Sequence, residues 1–182
     1  MPPARYYFLK LEFGNGKHLK LQWPPDARVR RVAQERLTEQ FPVRTWSDLG
    51  EWWYGLGPQH AYLEQDLSDI IRTGTELKVY VRRGVVVAGY LVRYDHEKGP
   101  DHSGIAFFDG AGRHLPGTLR LGGMDAPYEQ MDFSPPPDFR GLLAAAGEIG
   151  RPFDLIRVDL IVAASGEAYL GELSLCHGSA TV

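Results

Sequence analysis

Apolar residues recur along this chain with two periods. Residues 6–13 and 17–23 are short aromatic and aliphatic stretches separated by Gly14-Asn15-Gly16, which predicts a β-hairpin. Pro24-Pro25-Asp26 closes the second stretch and offers Asp26 as a helix N-cap. Val29, Val32, Ala33, Leu37 and Phe41 follow at helical spacing and predict an amphipathic helix. Ser47 could cap a short second helix through Trp52 and Trp53, and residues 61–66 read as a strand running into polar residues. From residue 76 the period is that of strands. Residues 76–81 and 85–94 flank Arg82-Arg83-Gly84 as a second hairpin. Weaker strand signals lie at 104–108 and around 115–121, and 122–137 reads as a loop rich in Gly, Pro and Asp. Asp138 is placed to cap a helix whose apolar face is Phe139, Leu142, Leu143, Ala146 and Ile149. Residues 153–164 and 167–176 make a third hairpin. Hairpins interrupted by a few helices predict an α+β protein and not a doubly wound sheet.

With 182 residues there is room for one domain, or for two small lobes sharing a cleft, and the change of period divides them as 1–75 and 76–182. The net charge of −3 supplies no field for nucleic acid or for an anionic membrane. The one cysteine, Cys176, excludes an internal disulfide framework and a cysteine-rich zinc site. No apolar run approaches the ~20 residues of a transmembrane helix, and MPPARYYFLK lacks the apolar core of a signal peptide. The expectation is a cytoplasmic protein of a reducing compartment. Arginine outnumbers lysine 15 to 5, yet Lys10, Lys17 and Lys20 crowd into the first 20 residues.

The third hairpin carries the candidate chemistry. A turn of two or four residues around Ser165-Gly166 sets Asp159 opposite Glu172 and Arg157 opposite Ser174. Side chains alternate across a strand, so these four share one face. The other face is Ile156, Val158, Leu160 and Val162 with Tyr169, Leu173 and Leu175. Two opposed carboxylates about 5 Å apart repel unless a cation lies between them. A hard divalent ion such as Mg²⁺ would suit them, with Arg157 free to take an anion. Alternatively Arg157 itself balances Asp159 and Glu172 on a solvated hairpin. On the second hairpin, a turn centred on Arg83-Gly84 puts Lys78 and Glu76 on the same side as Arg93, a cluster suited to phosphate or to a carboxylate; an exposed row of ion pairs explains it as well.

The run Phe153-Asp154-Leu155-Ile156-Arg157-Val158-Asp159-Leu160, followed by Tyr169-Leu170-Gly171-Glu172-Leu173-Ser174, resembles the metal-binding hairpin of ATP-grasp enzymes. It is most similar to the branch named for teichuronopeptide biosynthesis. Phe8-Leu9-Lys10 with its glycine loop, Tyr62-Leu63-Glu64 followed by Leu67, and Glu76-Leu77-Lys78-Val79-Tyr80 occur in the order of that branch, so the resemblance spans residues 6–179. It implies two antiparallel-sheet lobes with a nucleotide between them, and an ATP- and Mg²⁺-dependent carboxylate–amine ligase acting through an acyl-phosphate in cell-surface polymer synthesis or modification. By the same resemblance Asp159, Glu172 and Ser174 would hold Mg²⁺, and Arg157 would touch the transferring phosphate; Lys78 and Arg93, by the hairpin register, are candidates to hold phosphate or the acceptor carboxylate. Lys10 and the flap Gly14-Asn15-Gly16-Lys17 would meet the ATP phosphates, Glu64 and Gln65 the adenine, and Asp66 or Asp69 the ribose. Family members carry further elements ahead of the Lys10 strand. The resemblance therefore implies a partner chain that supplies them, or a truncated or degenerate member.

Two readings of other classes stay open. One is a non-catalytic nucleotide-binding or interaction module; the other is a structural domain with a solvated charged face. Asp95, His96, Asp101 and His102 have no spacing that would gather them on a metal. Trp46, Trp52, Trp53 and Tyr54 read as core residues, since no basic stripe interleaves them.

Overall fold

The structure is a computed structural model that describes residues 6–11, 18–40, 60–94, 103–116 and 128–175. Its elements are β1 (Tyr6–Leu11), β2 (Leu19–Gln22), α1 (Ala27–Gln40), β3 (Ala61–Gln65), α2 (Ser68–Thr73), β4 (Thr75–Arg82), β5 (Val85–Tyr94), β6 (Ser103–Asp109), β7 (His114–Leu115), β8 (Tyr128–Gln130), α3 (Phe139–Gly150), β9 (Ile156–Val162) and β10 (Ala168–Ser174). The protein is mixed α+β with two sheets and few helices. Every strand pair is antiparallel except β6 with β8. No helix among the described residues is long and apolar enough to cross a membrane.

The chain divides into two compact units between Leu67 and Ser68. The division falls ahead of residue 76 because α2 packs against β9, in the larger unit. The smaller unit holds a three-stranded sheet of order β2-β1-β3. Asp26 caps α1 as its sequence suggests: Asp26 Oδ1 accepts the Val29 N–H at 2.8 Å, three residues into the helix. The described residues of this unit include one buried side chain, Leu21.

The larger unit is built on a seven-stranded sheet of order β10-β9-β4-β5-β6-β7, with β8 added on β6. Strict alternation in β4 buries Thr75, Leu77, Val79 and Val81 on one face and turns Glu76, Lys78 and Tyr80 to the other. β9 lies between β4 and β10, and its Ile156, Val158, Leu160 and Val162 extend the same apolar face. α3 covers that face with Leu142, Leu143 and Ala146, and Phe108 of β6 completes the core. Burying a side chain of this kind is worth about 1.5–3 kcal/mol, so this face holds the sheet and helix together. The helix begins differently from expectation. Asp138 occupies the cap position in a left-handed conformation (φ 52°) and its side chain makes no capping hydrogen bond.

The β4–β5 and β9–β10 turns of the large sheet use positive φ. Arg83 and Gly84 (φ 49° and 83°) form a two-residue turn whose twist matches that of β4 and β5. Between β9 and β10 the Ala163 N–H donates to Glu167 O and the Gly166 N–H to Ala163 O, each at 2.8 Å, with Gly166 at φ 90°. This loop has three residues, not two or four, so the ladder leaves the turn one step out of the expected register: Ala168 faces Val162 and Leu170 faces Leu160. A bulge at Gly171 then restores it, and Glu172 faces Asp159 and Ser174 faces Arg157 as expected. Tyr169, opposite Ile161, consequently joins the polar side, and Leu170 takes the apolar side in its place.

The predicted helix at 47–53, the glycine loop 14–17 and the groups at 95–102 and 176–179 lie outside the described residues, as does most of the strand expected at 115–121.

Candidate functional site

The face of the large sheet opposite α3 gathers the charge. Asp159 of β9 is its centre, 1% exposed and opposite Lys78 of β4 and Glu172 of β10. Lys78 Nζ donates to Asp159 Oδ2 at 2.6 Å. Arg157 clamps both oxygens, Nε to Oδ1 at 2.6 Å and Nη2 to Oδ2 at 2.8 Å. The chain of contacts continues outward: Arg157 Nη2 donates to Ser174 Oγ at 3.0 Å, and Ser174 Oγ donates to Glu172 Oε1 at 2.9 Å. On the other flank Lys78 Nζ lies 3.3 Å from Glu76 Oε1. Three carboxylates, two cations and a hydroxyl therefore form one connected cluster.

Burial works against the charge on Arg157 most strongly, yet the hydrogen bond and charge of Asp159, with Tyr90 and Glu172 adding, outweigh it and push its pKa up. The guanidinium is a permanent cation of the site. It also occupies the place between the two acids where a divalent ion was expected, with Nη2 2.8 Å from Asp159 and 3.9 Å from Glu172 Oε2. No group of three or more His, Cys, Asp or Glu gathers around a common point among the described residues. The candidate ligand set is thus two carboxylates and the Ser174 hydroxyl. Hard oxygen donors of this kind suit Mg²⁺. Glu172 is open to it, at 64% side-chain exposure, whereas three of the roughly four acceptor sites of Asp159 are already taken.

Arg93 does not belong to this face. At the start of β5, Val81 pairs with Val86 but Tyr80 pairs with Ala88, so Val87 is an inserted bulge residue. One extra residue flips every side chain beyond it. Glu76 consequently faces Val92, and Arg93 falls on the α3 side, where Nε donates to Thr75 Oγ1 (3.2 Å) and Nη2 to Ser134 O (2.8 Å). The expectation that Arg93 shares a side with Lys78 and Glu76 is overturned by that bulge.

A second group of expected residues lies in the smaller unit. Lys10 Nζ pairs with Glu64 Oε1 at 2.6 Å, across β1 and β3. Asp66 donates its N–H to Tyr6 O, and its carboxylate pairs with Lys20 Nζ at 2.5 Å. Lys20 also lies over the rings of Tyr6 and Phe8, at 5.3 and 5.6 Å from their centres. Strand register puts Phe8, Lys10, Lys20, Tyr62 and Glu64 on one face of this sheet and Gln65 on the other. Asp69 lies in α2, with a fully solvated carboxylate near Arg72. Gly14, Gly16 and Lys17 are outside the described residues.

Sequence reasoning missed a row of aromatic rings beside the charged cluster. Tyr90, opposite Lys78, has its ring 6.3 Å from Tyr80 and 5.6 Å from Phe107. Strand alternation alone could have raised it, once the bulge in β5 was known. Compared with known proteins, the chain matches no family model, no curated protein and no solved structure.

Proposed function

We propose that this chain is an ATP-grasp-type nucleotide-binding protein that uses ATP and Mg²⁺ to join a carboxylate to an amine, in the synthesis or modification of a cell-surface polymer. The observation that carries the reading is the register of β10, β9 and β4, which lines up Glu172 and Ser174, Asp159 and Arg157, and Lys78 and Glu76 on one sheet face. A ligand bearing both charge signs is what such a face can match: carboxylates for the metal, cations for phosphate oxygens. Asp159, Glu172 and Ser174 would hold the ion, which supplies neutralising charge to the phosphates. Arg157 and Lys78 would hold and orient phosphate oxygens and stabilise the charge that develops there. The substrate carboxylate then attacks the γ-phosphorus to give an acyl-phosphate and ADP. The amine nitrogen attacks the acyl carbon, loses a proton, and inorganic phosphate departs.

Saturation of Asp159 by three charged N–H donors favours a second reading, in which the cluster only ties β10 and β9 to β4. A thermal-shift titration with Mg²⁺ and a non-hydrolysable ATP analogue separates the two. Ligand binding to the folded state raises the melting temperature as concentration passes Kd. No shift with the pair would leave the second reading standing, and a shift without turnover on a panel of acids and amines would indicate a binding module.

A further inference from the structure

Resting on that reading, we propose that Asp159, Lys78 and Arg157 form an ion-pair exchange that makes the site accept a divalent cation and an oxyanion together and resist either one alone. The argument is one of counting partners. Asp159 Oδ2 accepts from Lys78 Nζ and Arg157 Nη2, Oδ1 accepts from Arg157 Nε, and the carboxylate is 1% exposed. Three of the carboxylate's roughly four acceptor sites are taken, so a dication arriving alone either sits against Lys78 and Arg157, both 16% exposed, or displaces one of them and leaves that cation beside itself. An oxyanion arriving alone must draw Lys78 or Arg157 away and leave a buried carboxylate short of partners, facing new negative charge. Each single event crowds like charges or separates a buried ion pair, and either is costly.

When both arrive, every charge keeps a partner. The metal takes Asp159 and Glu172, and the oxyanion takes Lys78 and Arg157. Coupling between the two ligands is then favourable and, by linkage, the same in both directions. The flanks are built for the exchange. Glu172 is 64% exposed and gives the ion a first contact, while Glu76, 3.3 Å from Lys78 Nζ, holds the released ammonium near the sheet. Lys78 is an anion-binding residue in this scheme. Its presence on Asp159 opposes the metal and assists the anion.

The test uses the full chain with Mn²⁺ alone, followed by electron paramagnetic resonance, and with inorganic tripolyphosphate alone, followed by calorimetry. Lys78→Gln should tighten Mn²⁺ binding about tenfold and weaken tripolyphosphate binding by about as much, the low end of what one adjacent charge does to an ionic equilibrium. Lys78→Arg should track the wild type in both. A purely structural lysine would move both affinities the same way or neither, and either result overturns the exchange. Should Lys78→Gln not fold, the wild type decides. After correction for complexation in solution, its Mn²⁺ affinity must rise when tripolyphosphate is present, and equal affinity with and without it refutes the coupling. If the wild type fails to bind the two together at all, the nucleotide reading itself fails.

Discussion

Replacing Asp159 by asparagine gives the sharpest test of the charged cluster, because shape is kept while the charge and one of the two acceptor oxygens are lost. Lys78 Nζ and Arg157 Nη2 approach the same oxygen, at 2.6 and 2.8 Å, and would become two neighbouring cations with no shared counter-ion. At an effective dielectric near 20, each unit-charge attraction at about 4 Å is worth roughly 4 kcal/mol, so two are removed. Relief of the carboxylate's own desolvation returns several kcal/mol. The net expected loss is about 3–5 kcal/mol, the range found when one member of a buried pair is deleted. Glu172→Gln, at a side chain 64% exposed, should cost less than about 0.5 kcal/mol. The assay is urea unfolding followed by far-UV circular dichroism, to which the larger sheet contributes most of the strand signal. Tryptophan fluorescence serves as a control, because no tryptophan occurs in the sequence of the larger unit, residues 68–177. Adding Lys78→Met to Asp159→Asn should recover part of the loss, since one of two repelling cations is gone. A loss below about 1 kcal/mol for Asp159→Asn, or a gain, would mean that the cluster is merely solvated charge.

Three further outcomes follow from the backbone and the turns. Gly89→Ala would place its Cβ 2.2 Å from Phe108 Cζ and 2.5 Å from Lys78 O, so overpacking should cost about 1–3 kcal/mol in the same unfolding assay; an unchanged midpoint would contradict that close approach. Gly166→Ala, at φ 90°, should lose about 1–2 kcal/mol from left-handed strain in the same unfolding assay, and an unchanged midpoint would contradict that turn. Asp109 accepts backbone N–H groups of Arg113 and Ala111 and pairs with the Arg113 side chain, which together hold its carboxyl below the ordinary 3.8. A lowered folded-state value means that its support for the β6–β7 turn is present above 3.8 and lost as the pH falls through the lowered value. An NMR titration midpoint for Asp109 at or above 3.8 would contradict the turn geometry.

Most of the elements were legible in the chain. The hairpins of the two sheets, the helix after Asp26 and the apolar face of α3 all follow from period and punctuation. α2 escaped notice because its six residues include no buried side chain, so no stripe marks it. β8 escaped because three residues pairing in parallel with β6 leave no alternation to read. Asp138 has a capping side chain in sequence, and with the left-handed backbone it adopts that side chain makes no capping hydrogen bond.

What the amino-acid order determined by itself is which residues share a face within one strand, since alternation is a local property of an extended chain. Asp159 with Arg157, and Glu76 with Lys78, are joined in that way. The folded sheet decided the rest. Lys78 meets Asp159, 81 residues away, because β9 inserts beside β4, and strand order depends on the whole core. The two bulges show how much one residue can change. Val87 carries Arg93 to the far side, whereas the three-residue loop and Gly171 cancel, returning Glu172 and Ser174 to Asp159 and Arg157. With a side-chain period of two, any single inserted residue exchanges the faces, and where it is inserted is set by packing between strands.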